Sequence, residues 1–216
     1  MTSRITPFQL EVARGFFSLP ESDGFFVAGG LALIVNGIVD RDTEDLDAFT
    51  SRADVGAAAQ ALAEFALSRG WGVDMTVMSD GFARLHVSDG PDREVVVELA
   101  RDSEPLSTTH ITVLGPTLSI EDSVGNKVLA LFGRAEPRDF TDVCDAAHRF
   151  SKPRLLELAS ERDAGFDPSI FAQMIALIDR MDDRELPYSA DRLPALRAFF
   201  AEWRAELSNH DDPLTH

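Results

Sequence analysis

Residues 41–47, Arg-Asp-Thr-Glu-Asp-Leu-Asp, have the spacing best suited to chemistry. Side chains alternate between faces along a strand. A strand over 43–49 would therefore put Thr43, Asp45 and Asp47 on one face. Carboxylates one pleat repeat apart lie about 6–7 Å apart at Cα, and their oxygens can converge on one hard cation. Magnesium suits such a pair, because it takes oxygen ligands and keeps water and substrate phosphates in its shell. Alone, Asp-x-Asp reads as readily as an acidic turn. Upstream, Phe-Phe-Val-Ala-Gly-Gly-Leu-Ala-Leu-Ile-Val predicts an apolar strand, the pair Gly29-Gly30, then an apolar helix. Glycines there let backbone N–H groups approach a phosphate, and a helix N-terminus favours anions. A lone glycine pair would be only a tight turn; here it precedes the acidic strand in order.

Further candidates lie downstream. Glu98 sits inside the run Val95-Val96-Val97-Glu98-Leu99, where an unpaired buried carboxylate is costly. It reads as a third metal ligand, as a base for the attacking hydroxyl, or as one residue of a solvated face; Asp102 is a nearby alternative. Lys127 lies beside Val124, Val128 and Leu131, where it could snorkel to water or neutralise phosphate charge. Arg134 shares its helix face. Arg138 and Asp142 stand at i,i+4 and Asp139 and Asp142 share a face, which spacing alone assigns to charge pairing on a helix surface. Cys144 is the one cysteine, so no internal disulfide or zinc pattern exists, and it reads as a small buried side chain. His86, His110 and His148 are scattered and read as structural or surface residues.

The elements that must position these groups follow from periodicity. Apolar spacing predicts a helix over 5–18, and 25–28 reads as a short strand before a helix over 31–38. The alanine-rich segment 53–69 is a helix ending at Gly70. Segments 71–78, 82–87 and 94–100, separated by Ser79-Asp80-Gly81 and Asp89-Gly90-Pro91, predict an antiparallel meander beside the acidic strand. A further short strand covers 110–114. Beyond about residue 116 the pattern is helical, over 120–133, 137–149, 152–161, 168–180 and 191–207, with Ser119 as an N-cap. The expected domains are 1–116 and 117–216.

Composition bounds the function. The formal net charge of −17 argues against a general nucleic-acid coat and against anionic membranes. Residues 120–155 are locally neutral, with six basic and six acidic side chains. The first twenty residues lack a basic region followed by an apolar run, and the apolar stretch 25–35 is shorter than the roughly 20 residues of a spanning helix. The expectation is a soluble, cytoplasmic protein with no membrane partner.

Gly29-Gly30 followed by Arg41-x-Thr43-x-Asp45-x-Asp47 resembles the nucleotidyltransferase superfamily. Lys127, Ala130-Leu131, Arg134 and Arg138-Asp139-x-x-Asp142 resemble the C-terminal motif of its AbiEii-type toxins, with the mycobacterial MenT toxins the nearest group. The resemblance covers about residues 25–145. It implies an α+β fold, with a nucleotidyltransferase-like mixed sheet and flanking helices followed by a C-terminal helical bundle. It implies magnesium on Asp45 and Asp47, and less securely on Glu98, where the superfamily usually carries aspartate. A nucleoside triphosphate would be held by Gly29, Gly30, Arg41, Thr43 and Arg138, with Lys127 and Asp142 completing the catalytic set. The implied partners are the acceptor end of tRNA and a cognate antitoxin. Transfer to a small-molecule hydroxyl and a degenerate, non-catalytic fold are the rival expectations.

Overall fold

The computed structural model describes residues 4–210. Contacts divide the chain into two compact units, Met1–Ser123 and Val124–His216.

Alternating apolar and polar side chains build the first unit around a seven-stranded mixed sheet of order β3-β4-β5-β2-β1-β7-β6. Its strands are β1 (Phe25–Val27), β2 (Asp45–Thr50), β3 (Gly72–Met78), β4 (Phe82–Ser88), β5 (Glu94–Arg101), β6 (His110–Thr112) and β7 (Gly115–Thr117). β2 pairs antiparallel with β1 and parallel with β5, so the acidic strand is central. β3, β4 and β5 form the expected antiparallel meander.

One sheet face is apolar. Leu46, Ala48, Leu85, Val97 and Leu99 are buried there with side chains of α1 (Pro7–Phe16) and α3 (Val55–Ser68). Both helices start on a side-chain cap: Thr6 accepts from the Gln9 N–H, and Asp54 accepts from the Ala57 N–H at 3.0 Å. The residues between those apolar positions, Asp45 and Asp47 on β2, Val96 and Glu98 on β5 and Arg84 on β4, occupy the second, more polar face. Between β1 and β2 runs the seven-residue helix α2 (Gly29–Val35).

The second unit is helical: α4 (Ile120–Gly133), α5 (Pro137–Ala146), α6 (Lys152–Arg162), α7 (Pro168–Ile175) and α8 (Leu193–His210). Edge-to-face aromatic pairs, Phe140 with Phe200 at 5.2 Å and Phe171 with Trp203 at 5.1 Å, fill its core. Gly125 permits close helix approach, since a Cβ there would lie 2.9 Å from the Leu158 carbonyl oxygen of α6.

Three local outcomes differ from the expected boundaries. Segment 110–114 closes a hairpin with β7, which pairs parallel to β1. The division between the two units falls within α4. Segment 168–180 is α7 followed by a tighter 3₁₀ turn over Ala176–Arg180. The acidic strand starts at Asp45, so Thr43 precedes it rather than sharing its pleat.

Candidate active site

The first unit gathers the glycine pair, Arg41, Thr43 and Asp47. Asp47 is fixed by its strand: its carbonyl accepts from the Ala28 N–H at 2.9 Å. Gly29 follows directly, in the left-handed region at φ +56°, and a Cβ built on it would lie 1.7 Å from Asp47 Oδ2. Any larger residue would thus meet both backbone strain and the carboxylate. A Cβ on Gly30 would come within 3.2 Å of Arg41 Nη2 and 3.4 Å of Thr43 Oγ1. Thr43 is buried, held by a bond from Gln9 Nε2 to its carbonyl at 2.6 Å. Its hydroxyl thus reaches the cradle from the loop before β2. Ala28 offers no side-chain acceptor at the start of α2.

Asp45 lies one pleat from Asp47 on the same face, both partly exposed. Glu98 stands beside Asp47 in the parallel β2–β5 register. Its Oε1 accepts from Arg84 Nε at 2.8 Å and lies 2.6 Å from Arg84 Nη2. Asp102 lies beyond β5, with its N–H bonded to the Thr50 carbonyl. Among the described residues, no group of three or more His, Cys, Asp or Glu side chains is arranged to hold a metal ion. Two hard carboxylates beside a glycine cradle still fit magnesium, which fills its remaining positions with water and phosphate oxygens.

The second unit gathers Lys127 and Asp142 with two further residues. Lys127 Nζ lies 3.1 Å from Asp139 Oδ1 and 3.1 Å from Asp142 Oδ2, and both aspartates are fully buried. Arg134 binds Asp139 through Nε at 3.0 Å and Nη2 at 3.2 Å. The Glu136 N–H adds a fourth bond to Asp139 at 3.2 Å. Ala135, at φ +50°, makes the turn that brings Arg134 and the Glu136 amide to this carboxylate. Burial pushes the Asp139 carboxyl up, but the Arg134 hydrogen bond and the Lys127 and Arg134 charges outweigh it and hold the group below its ordinary range. Surface pairing, which spacing alone favoured here, is corrected: the aspartates share their stripe with buried Val143 and Ala146. Arg138 is exposed on α5. Lys127 spends two of its three N–H donors on the aspartates, leaving capacity for one more acceptor.

Sequence reasoning passed over Arg84 and gave Asp139 no role. Cys144 is partly rather than fully buried, and lines a cavity of about 390 Å³ in the second unit with Tyr188 and Phe199. A cavity of about 500 Å³ in the first unit, lined by Phe25, Ser51 and Arg52, lies at the end of β2 away from Asp45.

A mixed sheet with a glycine cradle beside paired carboxylates defines the nucleotidyltransferase class. The family model for the nucleotidyl transferase AbiEii toxin of type IV toxin–antitoxin systems matches residues 13–214, and the chain belongs to that family. No curated protein matches it. Among solved structures it is similar to JHP933 from Helicobacter pylori, at 17% identity and TM-score 0.57, over 95% of this chain and 96% of that one. It is also similar to MenT4, a nucleotidyltransferase toxin from Mycobacterium tuberculosis, at 16% identity and TM-score 0.52, over 93% and 97%. These likenesses concern the fold. The family is one of toxin–antitoxin pairs, which implies an antitoxin partner and a nucleoside triphosphate substrate. Among the described residues, no helix is long and apolar enough to cross a membrane.

Proposed function

We propose that the protein is a magnesium-dependent toxin that transfers a nucleoside monophosphate from a nucleoside triphosphate to the 3′ end of tRNA, which blocks translation in the cytoplasm. The observation that carries the transferase reading is the seat of Asp47 against Gly29: its carboxylate fills the space of a side chain at a left-handed glycine. An anionic side chain seated beside the glycine pair at the start of α2 supports a metal–triphosphate site there. Family membership and the locally neutral segment 120–155 support the tRNA acceptor.

Asp45 and Asp47 would hold the magnesium ion. The chemistry supplied there by the bound metal would be Lewis-acid neutralisation of phosphate charge. Gly29 and Gly30 cradle the triphosphate, with Arg41 and the Thr43 hydroxyl beside Gly30. The acceptor hydroxyl attacks the α-phosphate in line and pyrophosphate leaves, so the chain contributes mainly positioning and electrostatics. Lys127, oriented by Asp139 and Asp142, would neutralise phosphate charge, and Arg138 would bind the nucleotide.

A second reading rests on the charge of −17, which would attract a cationic small molecule with a hydroxyl, such as an aminoglycoside, and repel RNA. Incubation with α-labelled triphosphates, total tRNA and a panel of aminoglycosides separates the two. Label at the tRNA 3′ end is the expected result; label only on the small molecules overturns the tRNA reading.

A further inference from the structure

Three side chains form one cross-strand row on the polar sheet face: Arg84 on β4, Glu98 on β5 and Asp47 on β2. Neighbouring strands lie about 4.8 Å apart, so Glu98 stands between a guanidinium and a proposed metal ligand and must favour one side. It favours Arg84, whose Nε and Nη2 both address Glu98 Oε1, at 2.8 and 2.6 Å. The Phe82 ring holds the same guanidinium from a second direction, with the Arg84 carbon 5.6 Å from the ring centroid. The Glu98 side chain is 23% exposed, so this charge-assisted contact is partly shielded from water.

We infer that Arg84 is a positioning residue that keeps Glu98 off the metal, so that the site works with two protein carboxylates; this rests on the nucleotidyltransferase reading above. A third free carboxylate would add a ligand for the cation, but it would also repel the triphosphate. With Arg84 in the row, Asp45, Asp47, Glu98 and Arg84 carry a formal charge of −2, which one divalent cation balances. These four groups and the cation then sum to zero. Without the guanidinium, they keep one negative charge after the metal has bound.

The test is Mn²⁺ binding to the full chain, followed by paramagnetic resonance, and then binding of ATP, GTP, CTP and UTP analogues blocked at the α–β bond, read with whichever wild type binds. The Glu98→Gln variant removes no ligand, so its loss of Mn²⁺ affinity should stay well below that of Asp47→Asn. Arg84→Gln should bind Mn²⁺ about tenfold tighter and the analogue about tenfold more weakly, as Glu98 turns to the metal and adds repulsion. Arg84→Lys should behave as wild type, and combining Arg84→Gln with Glu98→Gln should restore wild-type Mn²⁺ affinity. A loss of Mn²⁺ affinity in Glu98→Gln as large as that in Asp47→Asn would overturn the inference while leaving the metal site in place. Unchanged Mn²⁺ binding in Asp47→Asn would instead overturn the metal-site reading, and this inference with it.

Discussion

The two units hold their aspartates in opposite ways. On β2, Asp45 and Asp47 are partly exposed carboxylates on one polar face, with Asp47 pressed against a left-handed glycine. In the helical unit, Asp139 and Asp142 are fully buried and closed on their own cations, with Lys127 shared and Arg134 bound to Asp139 through two nitrogens. A buried pair tolerates the loss of neither partner, because the remaining charge is stranded away from water. A partly exposed pair loses little stability when neutralised. The difference therefore separates partly exposed carboxylates, proposed to serve a ligand, from buried ones that hold the fold.

The largest effect is expected at Lys127. Lys127→Ala leaves two buried carboxylates short of a cation and should cost about 3–5 kcal/mol, visible as a drop in melting temperature. It should also lower transfer by about 10²-fold or more at a temperature where the variant is folded, if the ammonium meets transition-state charge. Lys152→Ala is the control: Lys152 pairs with surface Glu206 at 2.9 Å and should change stability by less than about 1 kcal/mol. Equal losses in both variants would break the comparison.

Gly29→Ala should come next. Its φ of +56° and the approach to Asp47 Oδ2 force either the backbone or the carboxylate to move. Transfer should fall by about 10²-fold, the scale of an ångström of misplacement. Unfolding free energy should fall by only about 1–2 kcal/mol. A loss of stability without a loss of transfer would mean that the seat of Asp47 serves the fold alone.

The smallest effect is acid sensitivity. The Asp139 carboxyl is held below its ordinary 3.8 in the folded state, so its stabilisation is complete above about pH 4 and is lost as pH falls toward the folded value. Asp139→Asn should therefore melt below wild type at neutral pH, with the gap narrowing below about pH 4. A constant gap between pH 7 and pH 3, measured by thermal melts, would remove Asp139 from the account of acid stability.

Legibility in the sequence followed the same division. Gly29-Gly30 and Asp45-x-Asp47 were legible because a strand's two-residue period and a glycine pair are local signals. The AbiEii family, the mixed sheet and most helix boundaries came through for the same reason. Thr43 was placed on the strand because alternation runs on through 43, yet regular pairing with β5 begins at Asp45. Arg84 was illegible because its meaning depends on the β4–β5 register, which a turn signal does not fix. The burial of Asp139 was missed because i,i+3 and i,i+4 spacing is the same for exposed and buried charges. Their stripe with Val143 and Ala146 was the available clue.

On the proposed function, Asp45 and Asp47 serve ligand chemistry rather than the fold. The most direct test assays Asp45→Asn and Asp47→Asn with α-labelled triphosphate, magnesium and the acceptor that wild type labels, and melts the same samples. Transfer should fall to background in both variants, while the melting temperature stays within about 4 °C of wild type, the scale of a 1 kcal/mol change. A folded variant that transfers label at the wild-type rate would contradict this role for the two carboxylates.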